Sequence, residues 1–155
     1  MEKPVGSPLS SDIIEHHLGG DYQQSEGIVV HIDDLNSSAT DPLTERFSII
    51  VFLPGMEGNP VGHFCLLSEL DDRTLEWFDS TAQDIPPQVR SYAESHGKRL
   101  IFSTKAVQAR DTNTCGKWCI ARMQSLPTSL ADFFKLFDNK HFSHDQVVDK
   151  LIVLK

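Results

Sequence analysis

A chain of 155 residues with 39% hydrophobic content is the size of one soluble domain and long enough to bury a core without disulfides or metals. Its formal charge of −8 argues against a nucleic-acid partner held by counterion release, and no apolar run approaches the roughly 18 residues of a membrane span. Three cysteines without framework spacing, and an N-terminus lacking an apolar signal core, point to an intracellular chain with reduced thiols.

Residues 1–10 carry Pro4, Gly6, Pro8 and serines and read as a flexible lead; residues 11–155 read as a single domain. Asp12 to Leu18 predicts a short helix that Ser10 or Ser11 can cap, with Gly19-Gly20 as its stop. Five short β-branched or aromatic runs follow: Gly27–Ile32, Phe47–Leu53, His63–Leu67, Leu75–Phe78 and Leu100–Phe102. Between the last two, Pro86 to His96 predicts a helix with proline in its first turn and Gly97 as its stop. Three more helices are expected, over Cys115–Ser125 ahead of Pro127, over Ser129–Phe137, and over Ser143–Leu154 with the capping-box pair Ser143 and Gln146. The expected fold class is α+β, with a central mixed, mainly antiparallel sheet of about five strands flanked by helices.

The third and fourth runs predict a hairpin. A turn centred on Asp71 sets Cys65 opposite Trp77, Phe64 opposite Phe78 and His63 opposite Asp79. Directly opposed side chains share a face with Cβ atoms about 4.5–5.5 Å apart, within reach of an imidazole–carboxylate hydrogen bond. Such a pair fixes a histidine tautomer and stabilises imidazolium, as a catalytic histidine requires, and it also serves as an ordinary cross-strand salt bridge.

Cys115 falls at the predicted start of a helix, behind Asp111, Thr112, Asn113 and Thr114, all residue types that cap helices. Unpaired N–H groups and the helix dipole favour a thiolate there, while a buried packing role is the commoner fate of cysteine. Cys119, one turn further in, and Cys65 on its strand read as packing. Cys115 with Cys119 and His141 with His144 match structural zinc spacings poorly, so neither a metal nor a cofactor is expected.

Together, Gly62-His63-Phe64, Phe78-Asp79-Ser80 and Val107-Gln108 followed by Cys115-Gly116 resemble the superfamily of cysteine proteases that joins the adenovirus maturation protease, adenain, with the SUMO-specific proteases. The shared order is His, then Asp or Glu, then Gln, then Cys-Gly, over roughly residues 45–125, with Phe64 standing where tryptophan is common. The resemblance implies a thiol endopeptidase in which Cys115 attacks, His63 moves the proton, Asp79 orients His63, and Gln108 with the Cys115 backbone N–H forms the oxyanion hole. It implies a protein substrate with a small residue such as glycine beside the scissile bond, and leaves room for an activating peptide. The seven-residue interval from Gln108 to Cys115 is similar to adenain, suggesting a monomeric viral protease that processes structural precursors in the host cytoplasm or nucleus and is packaged in the particle. The Phe-Asp-Ser segment resembles the SUMO branch, whose members remove ubiquitin-like modifiers. A noncatalytic binding module on the same scaffold is the remaining alternative.

Overall fold

The computed structural model describes residues 29–36, 43, 47–55, 62–108, 114–138 and 141–152. The expected N-terminal lead, the helix at 12–18, the first two residues of the first strand, the turn at 111–113 and the end of the last helix lie outside the described residues. Five strands form one open sheet: β1 (Val29–His31), β2 (Ser48–Leu53), β3 (His63–Asp71), β4 (Thr74–Phe78) and β5 (Arg99–Phe102). Their spatial order follows the chain. β2 runs antiparallel to β3 and β3 to β4, while β1 pairs with β2 and β4 with β5 in parallel. The parallel β4–β5 pair needs a crossover, which α1 (Pro87–Ser95) supplies. Gly97 ends that crossover with φ near +63°, a conformation that costs glycine little.

α2 (Cys115–Ser125), α3 (Leu130–Lys135) and α4 (His144–Leu151) complete an α+β arrangement. Ser129 caps α3 through the N–H of Asp132, and Ser143 and Gln146 close a full capping box on α4. No helix of the described residues is long and apolar enough to cross a membrane.

Both faces of the central strands are buried, which explains the continuous apolar runs Ile49-Ile50-Val51 and Phe64 to Leu67 in place of polar alternation. On one face Ile49, Val51, Cys65, Leu67 and Trp77 pack with Val89, Tyr92 and Ala93 of α1. On the other, Ile50, Phe64, Leu66 and Phe78 pack with Trp118, Cys119 and Ile120 of α2 and Phe133 beyond it. Sheltered on both sides, α2 buries even Arg122, whose guanidinium meets Glu76 of β4 in a two-pronged pair at 2.7 and 2.9 Å.

The hairpin register differs from the expected one. Phe78 faces Leu66, not Phe64, and Trp77 faces Leu67, not Cys65. β3 runs on to Asp71, a bulge falls between Glu69 and Asp71, and Asp72-Arg73 alone make the turn, held by the Arg73 N–H donating to Asp71 Oδ1 at 2.8 Å. The net slip is two residues. Because side chains alternate with period two, each keeps the face the sequence assigned it.

Candidate active site

β3 opens at His63, behind a glycine that the packing demands. A Cβ at Gly62 would run into the Phe52 ring, so the aromatic contact between Phe52 and Phe64 closes over the strand start only if that position has no side chain. β4 closes one residue short of Asp79. Continuing its register one step sets Asp79 across from Cys65, with His63 on the diagonal rather than directly opposite. The imidazole spans that diagonal: His63 Nε2 and Asp79 Oδ1 are 2.7 Å apart.

The carboxylate is held from every side. Asp79 Oδ1 also accepts from the Thr81 N–H at 2.8 Å and the Thr81 hydroxyl at 2.7 Å, and Oδ2 accepts from the Gln83 N–H at 3.2 Å. One hydroxyl clamps its backbone: Ser103 Oγ accepts from the Asp79 N–H and donates to the Asp79 carbonyl, each at 3.1 Å. These bonds hold Ala82 at φ +51°, a region that non-glycine residues seldom occupy.

Cys115 is the first residue of α2, as expected, and its thiol lies close enough to His63 to act on the imidazole's charge. With Nε2 committed to Asp79, Nδ1 is the ring nitrogen left for the thiol. Thr114, at the N-cap, makes no side-chain bond to its own helix. Its hydroxyl donates instead to Asp145 of α4 at 2.6 Å, and Trp118 Nε1 donates to the same oxygen at 2.9 Å, so the start of α2 is pinned to the start of α4. Gln108 is tethered beside Asp79: the Ser80 hydroxyl donates to its Oε1 at 2.6 Å, and the Ser80 carbonyl accepts the N–H groups of Val107 and Gln108.

Charge follows from these bonds. Burial, the largest influence on His63, favours the neutral ring, yet hydrogen bonds to Asp79 and Cys115 and their negative charge together raise its pKa from 6.5 to about 9. Burial likewise works to raise Asp79, but the bonds from His63 and Thr81 prevail and hold the carboxyl below its ordinary value. The thiols of Cys65 and Cys119 are pushed well above the usual cysteine value, first by burial and then by neighbouring negative charge. Both are wholly enclosed, at 0% and 1% exposure, whereas Cys115 keeps 9%.

Among the described residues, His63, Cys65 and Asp79 are the single group whose donor atoms approach within 4.8 Å of one another. They fit a metal poorly. A His–Asp contact of 2.7 Å leaves no gap for an ion needing roughly 2.0–2.2 Å to each atom. His144, part of the other zinc spacing considered, lies 3.1 Å from Asp138.

The structure thus brings together His63, Asp79 and Cys115, and ties Gln108 to the residue next to Asp79. Sequence reasoning missed Ser80, Thr81, Ser103 and Asp145. Thr81 had a local signal, an aspartate two residues before a hydroxyl residue in a loop, which is the pattern of an Asx turn. Neither protein-family models nor curated proteins give a match to this chain.

Proposed function

We propose that the chain is a cysteine endopeptidase of the adenain and SUMO-protease type, processing viral structural precursors, with Cys115 as nucleophile, His63 as acid–base and Asp79 as its orienting partner. The observation that carries this reading is a single imidazole bonded to a buried carboxylate and lying beside a thiol on the first residue of a helix. That arrangement keeps a proton on His63 through the neutral range and sets positive charge beside the sulfur. The thiolate attacks the peptide carbonyl, and the carbonyl electron pair moves to oxygen. His63 then gives its proton to the leaving amine, and water clears the thioester with His63 as base. Gln108 Nε2 and the Cys115 backbone N–H receive the oxyanion; removing one such donor slows turnover by roughly 10²–10³-fold. No cofactor takes part in these steps.

A second reading, release of a ubiquitin-like modifier, is favoured by one observation, the Phe78-Asp79-Ser80 segment with Ser80 reaching Gln108. The deciding experiment incubates the parent chain and Cys115→Ala with a peptide library and maps new termini by mass spectrometry. Cleavage beside small residues by the parent alone is expected. Identical peptide patterns from both would remove the enzyme reading, and an adduct between Cys115 and a ubiquitin-like protein bearing a C-terminal electrophile would move the substrate to modifier conjugates.

A further inference from the structure

A carboxylate has two like oxygens and a last torsion that turns broadly, so one that must face a single imidazole nitrogen needs something to hold it. On Asp79 the donors are divided unevenly. Oδ1 meets His63 Nε2 at 2.7 Å, the Thr81 hydroxyl at 2.7 Å and the Thr81 N–H at 2.8 Å, whereas Oδ2 takes the Gln83 N–H at 3.2 Å. Any residue but proline at position 81 would offer the N–H; only a hydroxyl side chain offers the second donor. The Thr81 hydroxyl oxygen also lies 3.5 Å from His63 Nε2, at the long limit of a hydrogen bond. It therefore reaches both members of the pair. Its proton holds Oδ1, and its lone pairs stand next to the ring N–H on the side where the imidazole would swing off that oxygen. The turn sets the hydroxyl's place, since the Ala82 N–H donates to the Asp79 carbonyl at 3.0 Å.

We infer that Thr81 is a positioning residue, whose hydroxyl fixes which oxygen of Asp79 meets His63 and keeps Nε2 turned to it. The inference rests on the peptidase reading above for what His63 then does, whereas the bond it concerns can be followed without any substrate. Thr81 touches no reacting atom; its effect passes through Asp79.

Positioning and simple charge withdrawal have opposite signs. A hydroxyl that only draws charge from Oδ1 weakens the pull on the imidazolium, and its removal raises the pH midpoint of His63. A hydroxyl that positions the carboxylate strengthens the pairing, and its removal lowers that midpoint. Among the described residues, Asp79 past β4, Cys115 of α2 and the Cys65 thiol of β3 are the titratable groups around the ring, and the variants below leave all three in place.

The test labels the full chain at its histidine nitrogens and follows the His63 ring by NMR across the neutral and alkaline range in the parent, Thr81→Val and Thr81→Ser. His63→Ala assigns the signals, and peptide cleavage is measured on the same samples. Valine keeps the β-branched shape and the backbone N–H and loses only the hydroxyl. The expected result for Thr81→Val is a His63 midpoint lower by about one pH unit, as for one lost hydrogen bond to a charged group, with exchange of the Nε2 proton about tenfold faster and cleavage about tenfold slower. Thr81→Ser should stay close to the parent in all three. An unchanged or raised midpoint in Thr81→Val overturns the inference, as does a Thr81→Ser chain that behaves like Thr81→Val. Slower cleavage with unmoved ring signals marks a merely structural role and overturns it too. Variants that shift the ring as expected, in a chain whose parent cleaves no peptide, remove the peptidase reading and leave the hold of Thr81 on the pair in place.

Discussion

Two buried charge pairs sit three residues apart along the chain, one on β4 and one just past its end, and they are built differently. Glu76 and Arg122 are each about 1% exposed and meet through two bonds, while the remaining guanidinium arm reaches Ser125 and the Thr128 carbonyl and the Phe133 ring lies 5.2 Å away. His63 and Asp79 meet through one bond, the histidine side chain keeps 15% exposure, and the Cys115 thiol lies near enough to influence its charge. A pair whose donors are spent on fixed neighbours can only hold the fold. A pair with one nitrogen left over and an opening to solvent can move a proton. Both pairs are buried, the His63–Asp79 pair less completely; what separates them is that opening and the nitrogen not committed to the carboxylate, and substitutions should divide along that line.

The largest effect is expected on the open pair. Asp79→Asn keeps the shape but lets the ring turn and removes the charge behind it, so peptide cleavage should fall on the order of 10³–10⁴-fold. Preference for Cys115 over Cys65 and Cys119 in alkylation at pH 6 should weaken with it. Wild-type cleavage by Asp79→Asn would erase the distinction between the pairs. The closed pair should respond in stability instead. Arg122→Ala strands the Glu76 carboxylate in the core and should destabilise the fold by about 3–5 kcal/mol in urea unfolding. The combined Glu76→Leu, Arg122→Met variant should recover most of that loss, since two apolar chains of similar volume leave no charge behind. A double variant as unstable as Arg122→Ala would mean that the pair contributes more than mutual neutralisation.

The pH dependence sharpens the comparison further. The folded-state pKa of His63 lies above its ordinary 6.5, at about 9, so the pairing contributes fully below pH 6.5 and is lost as pH climbs through 9. Asp79 is held below 3.8, so its contribution holds above that value and vanishes as pH falls through the lowered one. Unfolding free energy should therefore decline by about 3 kcal/mol at most between pH 6.5 and 10, and the decline should be absent in His63→Ala. The same alkaline window should remove alkylation selectivity at Cys115. A His63→Ala chain with the parent's alkaline slope would assign that slope to another group.

The features that could be read from the sequence were those whose cause is local. α1 begins at a proline and ends at Gly97, α4 carries its capping box, and Cys115 opens α2, because proline, glycine and cap residues act within one turn. The strands showed by composition, but the hairpin register did not, since a bulge and a two-residue turn depend on how β3 fits β4 rather than on either segment alone. His63 and Asp79 still fell on one face because the slip was even. Ser103 and Asp145 were invisible: each acts on a residue 24 or 31 positions away, and a lone serine or aspartate carries no periodic mark of its partner. The four residues before Cys115 suggested a side-chain cap, and the one that is described, Thr114, spends its hydroxyl on a neighbouring helix.

That redirected hydroxyl gives the smallest and most discriminating prediction. If the start of α2 were held by its own capping, Thr114→Val would cost about 1 kcal/mol through a lost helix cap and leave α4 untouched. With the bond going to Asp145, the same change leaves that oxygen one donor poorer in a buried setting, where Trp118 Nε1 still supports it. The expected loss is about 2 kcal/mol, as for hydrogen bonds to charged groups, and hydrogen exchange should speed up at the first turns of both α2 and α4. Thr114→Ser, which keeps the donor, should restore most of it. Faster exchange confined to α2 would return Thr114 to the role of an ordinary cap. Faster exchange in both helices, with alkylation at Cys115 retained, would show that the anchor of the thiol's helix and the pair that charges the thiol's surroundings are separable parts.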